Sequence, residues 1–472
     1  MPERTEAARA TLWAGAVCVG FLALQAALVV PGTGLAWDET VYTSQVSGSV
    51  PAAFFSAPRA RGISFLAAPV AELTSSMTAL RVWMAVLSAV GLFLALRVWR
   101  GLVPAPVLAL AGGLFATLWI TVFYGPQVMP NLWSAYGALA AVGCFLRAVR
   151  DPADRWAPVG LAAGVTVTGL MRPPDALWLL APLAVAALCV PGGRRPLVWA
   201  ALAAGAVLGC GEWVIEAYAR YGGLSERLSR ASAIQGGTGW NFAVADQIRA
   251  LDGRALCRPC DVPWRHPVTA VWWFALPPLA LLGVWAQRRA GALLPLLVAS
   301  SLAVPYLFLI GYAAPRFLLP SYALLAIPVG HGLWRLLTWR PALSGLVVLA
   351  LCGHVAVQMS VTVHDAAGNR AMRRAYESVA VALHHDGVRP PCVLTGDHAV
   401  PLAFYVGCAS RQVGGPDASI SPSGLVAAAR TRPVAVLVPP SAHPPRYARR
   451  WPSRALPSSP SFRAYHAYLS PP

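Results

Sequence analysis

Asp38 and Glu39 stand side by side in Ala36-Trp37-Asp38-Glu39-Thr40, a few residues beyond the end of an apolar run. Acids at the edge of such a run are desolvated at a cost, so they are candidates for function by default. A carboxylate placed there can take a proton from a hydroxyl or orient a cation. The competing structural reading makes Asp38 the N-cap of a short helix beginning at Thr40, which leaves the second acid unexplained. Four of the nine cysteines fall in polar segments as two close pairs, Cys257 with Cys260 and Cys392 with Cys408. Such spacing predicts disulfides in an oxidising compartment. For Cys257 and Cys260 a zinc site with His266 is the alternative, though a fourth ligand is not evident, and a redox-active pair needs a thioredoxin-like context that this segment lacks. Gly236-Gly237-Thr238-Gly239 has neither the strand–helix setting nor the Lys of a phosphate loop. His384 and His385 read as the solvated face of a helix.

The elements that must position these groups are apolar to an unusual degree. Of 472 residues, 57% are hydrophobic and 12% charged, about half the charge of an ordinary soluble domain. Lipid must solvate that surface. The net charge of +18 invites a nucleic-acid reading, but the chain contains no lysine and its arginines cluster between apolar runs. That is the positive-inside pattern of a membrane protein and not the single basic face of a DNA-binding domain, so nucleic acid is excluded as a partner. The Arg and Ala excess suits a GC-rich bacterial genome, by expectation an actinobacterial one.

Apolar runs begin near residues 12, 78, 103, 131, 157, 176, 197, 268, 291, 317 and 342. Most are long enough to cross about 30 Å of hydrocarbon, which predicts an all-α polytopic membrane domain of about eleven transmembrane helices over residues 1–360. The short runs at 157–171 and 176–190 could instead be a re-entrant pair, with no change of parity. Arg97 and Arg100; Arg147, Arg150 and Arg155; Arg194 and Arg195; Arg288 and Arg289; and Arg335 and Arg340 then mark cytoplasmic loops, together with an N-terminus carrying Arg4 and Arg9. The long loops 31–77 and 218–267 lie outside, as does everything after about residue 361. The first run exceeds the length of a signal-peptide core and reads as an uncleaved anchor.

Residues 361–472 change character. Asn369–Val388 reads as an amphipathic helix ended by Gly387, and strand-like and helix-like segments then alternate from Pro391 to Pro440. The alternation predicts a small C-terminal α/β extracytoplasmic domain with a parallel sheet. Cys392 and Cys408 fall near the starts of two successive strands, where a disulfide could join them.

The acid pair after the first span, Tyr42 three residues on, and Arg61-Gly62 before the second span resemble the GT-C glycosyltransferases, in particular the protein O-mannosyltransferase and aminoarabinose-transferase clan. Three further segments are similar to junctions of that clan: 123–142, the Arg172-Pro173 corner in 168–182, and 314–330 with Arg316. The resemblance covers roughly residues 35–345. It implies a membrane enzyme that moves a sugar from a polyprenyl-phosphate donor to an acceptor hydroxyl on a glycan, protein or lipid at the outer face. Asp38 is then the base, with Glu39 orienting an Arg or the sugar. Arg316 and Arg172 lead as phosphate ligands, because arginine is always ionised and binds phosphate bidentately. Arg59 and Arg61 are next, and Tyr42 and Asn131 join them as substrate contacts. Many relatives carry an acid where this chain has Asn131. That change weakens the case for a divalent metal, and no cofactor is required. A lipid-precursor flippase using the same arginines, and a non-catalytic subunit binding an envelope partner, remain as alternatives.

Overall fold

The computed structural model describes residues 2–261, 263–287, 290–415 and 417–471, without the side chains of 2–5 and 290–292. Arg288 and Arg289, and the Arg4 side chain, therefore lie outside the described residues.

All eleven predicted apolar runs are helical. In chain order the helices are α1 (Pro2–Leu28), α2 (Trp37–Ser44), α3 (Gly62–Ala71), α4 (Met77–Val98), α5 (Ala105–Thr117), α6 (Trp119–Tyr124), α7 (Pro130–Arg150), α8 (Trp156–Met171), α9 (Pro173–Cys189) and α10 (Pro196–Arg220). There follow α11 (Leu224–Ile234), α12 (Val244–Ala250), α13 (Val271–Gln287), α14 (Ala290–Phe308), α15 (Leu319–Leu337), α16 (Pro341–His385), α17 (Ala399–Val406) and α18 (Pro422–Ala428). Among the described residues, seven helical segments are long and apolar enough to cross a membrane: those of α1, α4, α7, α10, α13, α15 and α16. The segments of α5, α8, α9 and α14 are apolar but shorter. The chain is a multi-pass membrane protein.

Local sequence sets the helix ends. Pro130, Pro173, Pro196 and Pro341 open α7, α9, α10 and α16, where a missing N–H costs nothing and φ is already helical. Ser76 caps α4 by accepting from the Ala79 N–H at 3.2 Å. Helices α7 and α8 pack backbone to backbone: a Cβ on Gly137 would lie 2.7 Å from the Gly164 carbonyl oxygen, the close approach that small residues permit within a membrane. The run beginning near 103 breaks at Leu118, and the Trp119 N–H freed by the break donates to Gln358 Oε1 of α16 at 2.9 Å.

The predicted amphipathic helix over 369–388 is not a separate element. It is the upper part of α16, whose 45 residues give a rod of about 68 Å at 1.5 Å per residue. The 360/361 boundary thus falls inside a continuous helix. Above it, strands β1 (Val393–Gly396), β2 (Ala409–Ser410), β3 (Val434–Val438), β4 (Ser453–Ala455) and β5 (His466–Leu469) form one sheet in the order β2-β1-β3-β5-β4. The pairs β1–β2 and β1–β3 are parallel, as expected from the intervening helices α17 and α18, whereas β3–β5 and β4–β5 are antiparallel. The sheet is mixed because the chain after β3 lacks the α-helical crossover that a further parallel strand requires. Both cysteine pairs are disulfides, each with Cα atoms 4.8 Å apart. Cys257 and Cys260 bond each other, so they are not available to a zinc ion with His266. Peptide mapping without reductant should recover Cys392 linked to Cys408, and free thiols at both positions would refute the pairing.

Candidate active site

Helix α2 begins at Trp37, with Ala36 as its N-cap. Glu39, not Asp38, serves its N-terminus: Oε2 accepts from the Ala36 N–H at 3.0 Å. Glu39 is fully buried and forms a bidentate pair with fully buried Arg81 of α4, with Arg81 Nη2 2.9 Å from Glu39 Oε2. It also accepts from the Val128 N–H at 2.9 Å, and Arg81 donates to the Pro126 and Gly34 carbonyls. Glu39 locks the first outer loop onto α4 and orients Arg81, turned away from its neighbour as adjacent helical residues are. Arg81 was overlooked in the sequence, although an arginine inside an apolar run asks for a partner. Removing one member of a buried pair costs about 3–5 kcal/mol. Glu39→Gln should therefore lower the apparent Tm of the purified protein in detergent, while Asp38→Asn should not. Equal melting of Glu39→Gln and the parent would refute the lock.

Asp38 faces the other way and is about one-third exposed. Its Oδ1 lies 2.5 Å from Arg59 Nη2 and its Oδ2 3.1 Å from Arg316 Nη2. Burial raises the Asp38 pKa, but the Arg59 and Arg316 guanidiniums, assisted by Arg172, outweigh it and leave the carboxyl below its ordinary value. Arg59 comes from the first outer loop, braced by the Ser56 hydroxyl and lying 5.8 Å from the Tyr42 ring centroid. Arg316 stands in the 3₁₀ turn Pro315–Leu318 that opens α15. It donates to the Ala255 carbonyl at 2.5 Å, which ties the second outer loop to the site, while its buried Nε has no partner. Arg172 is the single residue between α8 and α9, held extended as a residue before proline must be. The Phe317 ring has Arg172 at 4.9 Å and Arg316 at 5.2 Å. Two guanidiniums thus clamp one carboxylate, with a third in electrostatic reach.

A network behind Arg172 fixes its position: Nη2 donates to the Tyr306 hydroxyl at 2.8 Å, and Tyr306 and Ser134 both donate to Asp175. One turn before Ser134, Asn131 is 1% exposed, and neither its amide nitrogen nor its amide oxygen has a partner. Buried polar atoms are nearly always satisfied, so this amide is free to take a hydrogen bond.

Arg61 does not join Asp38. Its Nη2 lies 2.6 Å from Glu216 of α10, and its guanidinium stacks 4.4 Å from the Phe55 ring. Its charge is matched by Glu216, away from Asp38. Fully buried Arg227 completes that knot: it donates to Glu216 and to the Ala57 and Arg59 carbonyls, each at 3.0 Å, and so shapes the loop that presents Arg59.

Helices α5, α13, α15 and α16 line an apolar cavity of about 560 Å³, with Leu118, Val268, Trp272, Tyr322, Val329 and His354 among its walls. Tyr322 is roughly 10 Å along the chain from Arg316 at helical rise. Above the site, His398 at the start of α17 packs edge-on to Trp37 with ring centroids 5.8 Å apart. Among the described residues it alone, glycines aside, has a positive φ, 53°, a sparsely populated conformation for a side-chain-bearing residue. Among the described residues, no three His, Cys, Asp or Glu side chains gather as a metal site. Asp38 is engaged by two arginines, and residue 131 offers an amide in place of an acid.

No protein-family model matches this chain, and no curated protein matches it. Solved structures do. The crystal structure of ArnT from Cupriavidus metallidurans bound to undecaprenyl phosphate matches with a TM-score of 0.70 at 12% identity, covering 97% of both chains. The apo state of the same protein matches with a TM-score of 0.65 at 13% identity. The archaeal oligosaccharyltransferase AglB from Archaeoglobus fulgidus, in complex with an inhibitory peptide and a dolichol-phosphate, matches with a TM-score of 0.50 at 12% identity over 90% of this chain and 69% of that one. At such identity the likeness is one of fold, and the fold is GT-C.

Proposed function

We propose that this protein is a membrane glycosyltransferase that moves a sugar from a polyprenyl-phosphate donor to an acceptor hydroxyl at the outer membrane face. The observation that carries this reading is the Asp38 carboxylate clamped by Arg59 and Arg316, in a protein that also holds an apolar cavity among α5, α13, α15 and α16. A polyprenyl phosphate pairs an anionic head with an apolar tail, and the protein offers guanidiniums for the one and an apolar cavity for the other. The solved ArnT and AglB structures that share the fold carry undecaprenyl phosphate and a dolichol-phosphate, the same ligand class.

The resting clamp gives the chemistry an order. The donor phosphate competes with Asp38 for Arg59 and Arg316. Once they turn to it, Asp38 loses the partners that held its pKa down and becomes a better proton acceptor. The acceptor oxygen attacks the anomeric carbon as the bond from that carbon to the phosphate oxygen breaks, in a single inverting displacement. The bonding pair leaves with the phosphate, whose growing charge the arginines stabilise, and the hydroxyl proton passes to Asp38. The unpartnered Asn131 amide suits a sugar hydroxyl, as both donor and acceptor.

The reading also requires the C-terminal domain and Asp38 to share the extracytoplasmic side. Single cysteines placed at the exposed positions Ser441 and Arg194 test this. A membrane-impermeant thiol reagent should label Ser441→Cys and spare Arg194→Cys in intact cells, and the reverse pattern would invert the topology. For the activity itself, mass spectrometry of surface glycans and glycoproteins should lose a species on gene deletion, and the purified protein should be stabilised thermally by undecaprenyl phosphate. Stabilisation with no glycan change would favour a lipid-precursor flippase.

A further inference from the structure

The C-terminal domain is placed as a roof over this site. The Gly34 N–H donates to Asn369 Oδ1 at 2.7 Å and the Leu35 N–H to the Tyr405 hydroxyl at 2.9 Å, so the domain grips the chain just before α2. The loop after β1 carries His398 to Trp37, and the loop after β2 carries Arg411 to the Ala52 carbonyl at 3.5 Å. Gln412 Nε2 joins the two loops through the Gly396 carbonyl at 3.0 Å. Both loops leave the carboxyl ends of parallel strands, beside β1, where the strand order β2-β1-β3 reverses direction. Open α/β sheets bind ligands at such a place.

Asp417 lies on the second of these loops. Its Oδ1 is closed off from solvent and has no hydrogen-bond partner, and its carboxylate interacts electrostatically with Arg59 and Asp38. Leaving a buried carboxylate oxygen unmet is costly, and every other acid at this site has its partner: Asp38 two arginines, Glu39 Arg81, and Asp175 the Arg172 network. An inverting displacement brings the acceptor in opposite the leaving phosphate. On the glycosyl-transfer reading Arg316 and Arg172 hold that phosphate, and the roof covers the approach to Asp38.

We propose, resting on the glycosyl-transfer reading, that Asp417 is the acceptor-binding carboxylate, whose free Oδ1 takes a hydrogen bond from an acceptor hydroxyl and positions it over Asp38. Burial raises the Asp417 carboxyl above its ordinary value, with Arg59 opposing and the Asp38 charge adding. Once the donor phosphate draws Arg59 away, two carboxylates face the incoming acceptor. A neutral polyol is then accommodated and a phosphate-bearing acceptor repelled.

The test uses the full-length protein and a deletion host. Asp417→Asn, expressed at the parent level, should reduce the gene-dependent surface glycan roughly tenfold or more, the scale of one hydrogen bond to a charged group. It should not weaken the thermal stabilisation by undecaprenyl phosphate, and Asp417→Glu should recover part of the glycan. Full glycan from Asp417→Asn overturns the assignment. So does loss of glycan together with loss of undecaprenyl phosphate stabilisation, which would mark Asp417 as a scaffold for Arg59. A parent protein that shows neither stabilisation nor a deletion-dependent glycan would instead fail the glycosyl-transfer reading itself, and this proposal with it.

Discussion

Asp38→Asn should transfer sugar about 10²–10⁴-fold more slowly than the parent, the usual contribution of a general base, and yet bind undecaprenyl phosphate more tightly. The two effects share one cause. Asp38 occupies Arg59 at 2.5 Å and Arg316 at 3.1 Å in the resting site, so it competes with the incoming phosphate for the same guanidiniums. Asparagine keeps the shape and gives up the charge, which frees the arginines and removes the proton acceptor. Asp38→Glu should also be poor, by ~10²-fold, because an added methylene displaces the carboxylate by about 1 Å. The pH dependence carries a further sign. In the free protein the arginines hold the Asp38 carboxyl below its ordinary value, so the acid limb of kcat/KM should fall at low pH. With donor bound, those arginines serve the phosphate and the carboxyl titrates higher, so the acid limb of kcat should lie at higher pH than that of kcat/KM. Titration of the purified protein with undecaprenyl phosphate, beside turnover of a radiolabelled polyprenyl-phosphate donor, measures all of this. Parent-like transfer by Asp38→Asn, or weaker lipid binding, would sink the model of a base held in reserve by its own phosphate ligands.

Arg316→Ala should lose in both kcat and donor affinity. Arg316 touches the three parts of the site that must move together: Asp38 through Nη2, the second outer loop through the Ala255 carbonyl, and the Phe317 ring shared with Arg172. Charge grows on the phosphate as the bond breaks, so an interaction with that oxygen is stronger in the transition state than in the ground state. Removing one such donor costs about 10²–10³-fold in kcat. Arg316→Lys should recover only part of this, because lysine offers a point charge where arginine offers a planar fork. Arg61→Ala is the internal contrast. Its guanidinium is bound to Glu216 and not to Asp38, so its effect should appear in thermal stability before it appears in donor kinetics. Donor kinetics unchanged at Arg316→Ala, or as impaired at Arg61→Ala as at Arg316→Ala, would show that the phosphate is held elsewhere.

The sequence by itself determined the features that depend on sums over neighbouring residues. Helix positions followed from hydropathy averaged over span-length windows, their ends from proline and serine at fixed local positions, and the α/β tail from strand and helix propensities that alternate every few residues. Cys392 and Cys408 could be matched because they begin two consecutive strands. Asp38, Arg59, Arg172 and Arg316 were named from order along the chain and resemblance, and the tertiary structure brought them together. What only that structure decided was the choice of partner across long separations. Glu39 and Arg81 are 42 residues apart, and Arg61 and Glu216 are 155 apart; no local pattern says which arginine meets which acid. That choice depends on the rotation of each helix about its axis, set by close contacts such as Gly137 against Gly164. The antiparallel half of the sheet and the fusion of span and amphipathic helix into α16 were hidden for a related reason. Whether a chain segment turns back or continues is settled by what it packs against. Asp417 is the furthest case: 379 residues beyond Asp38 in sequence, it comes within electrostatic reach of Asp38 only because the domain on top of α16 folds back over α2.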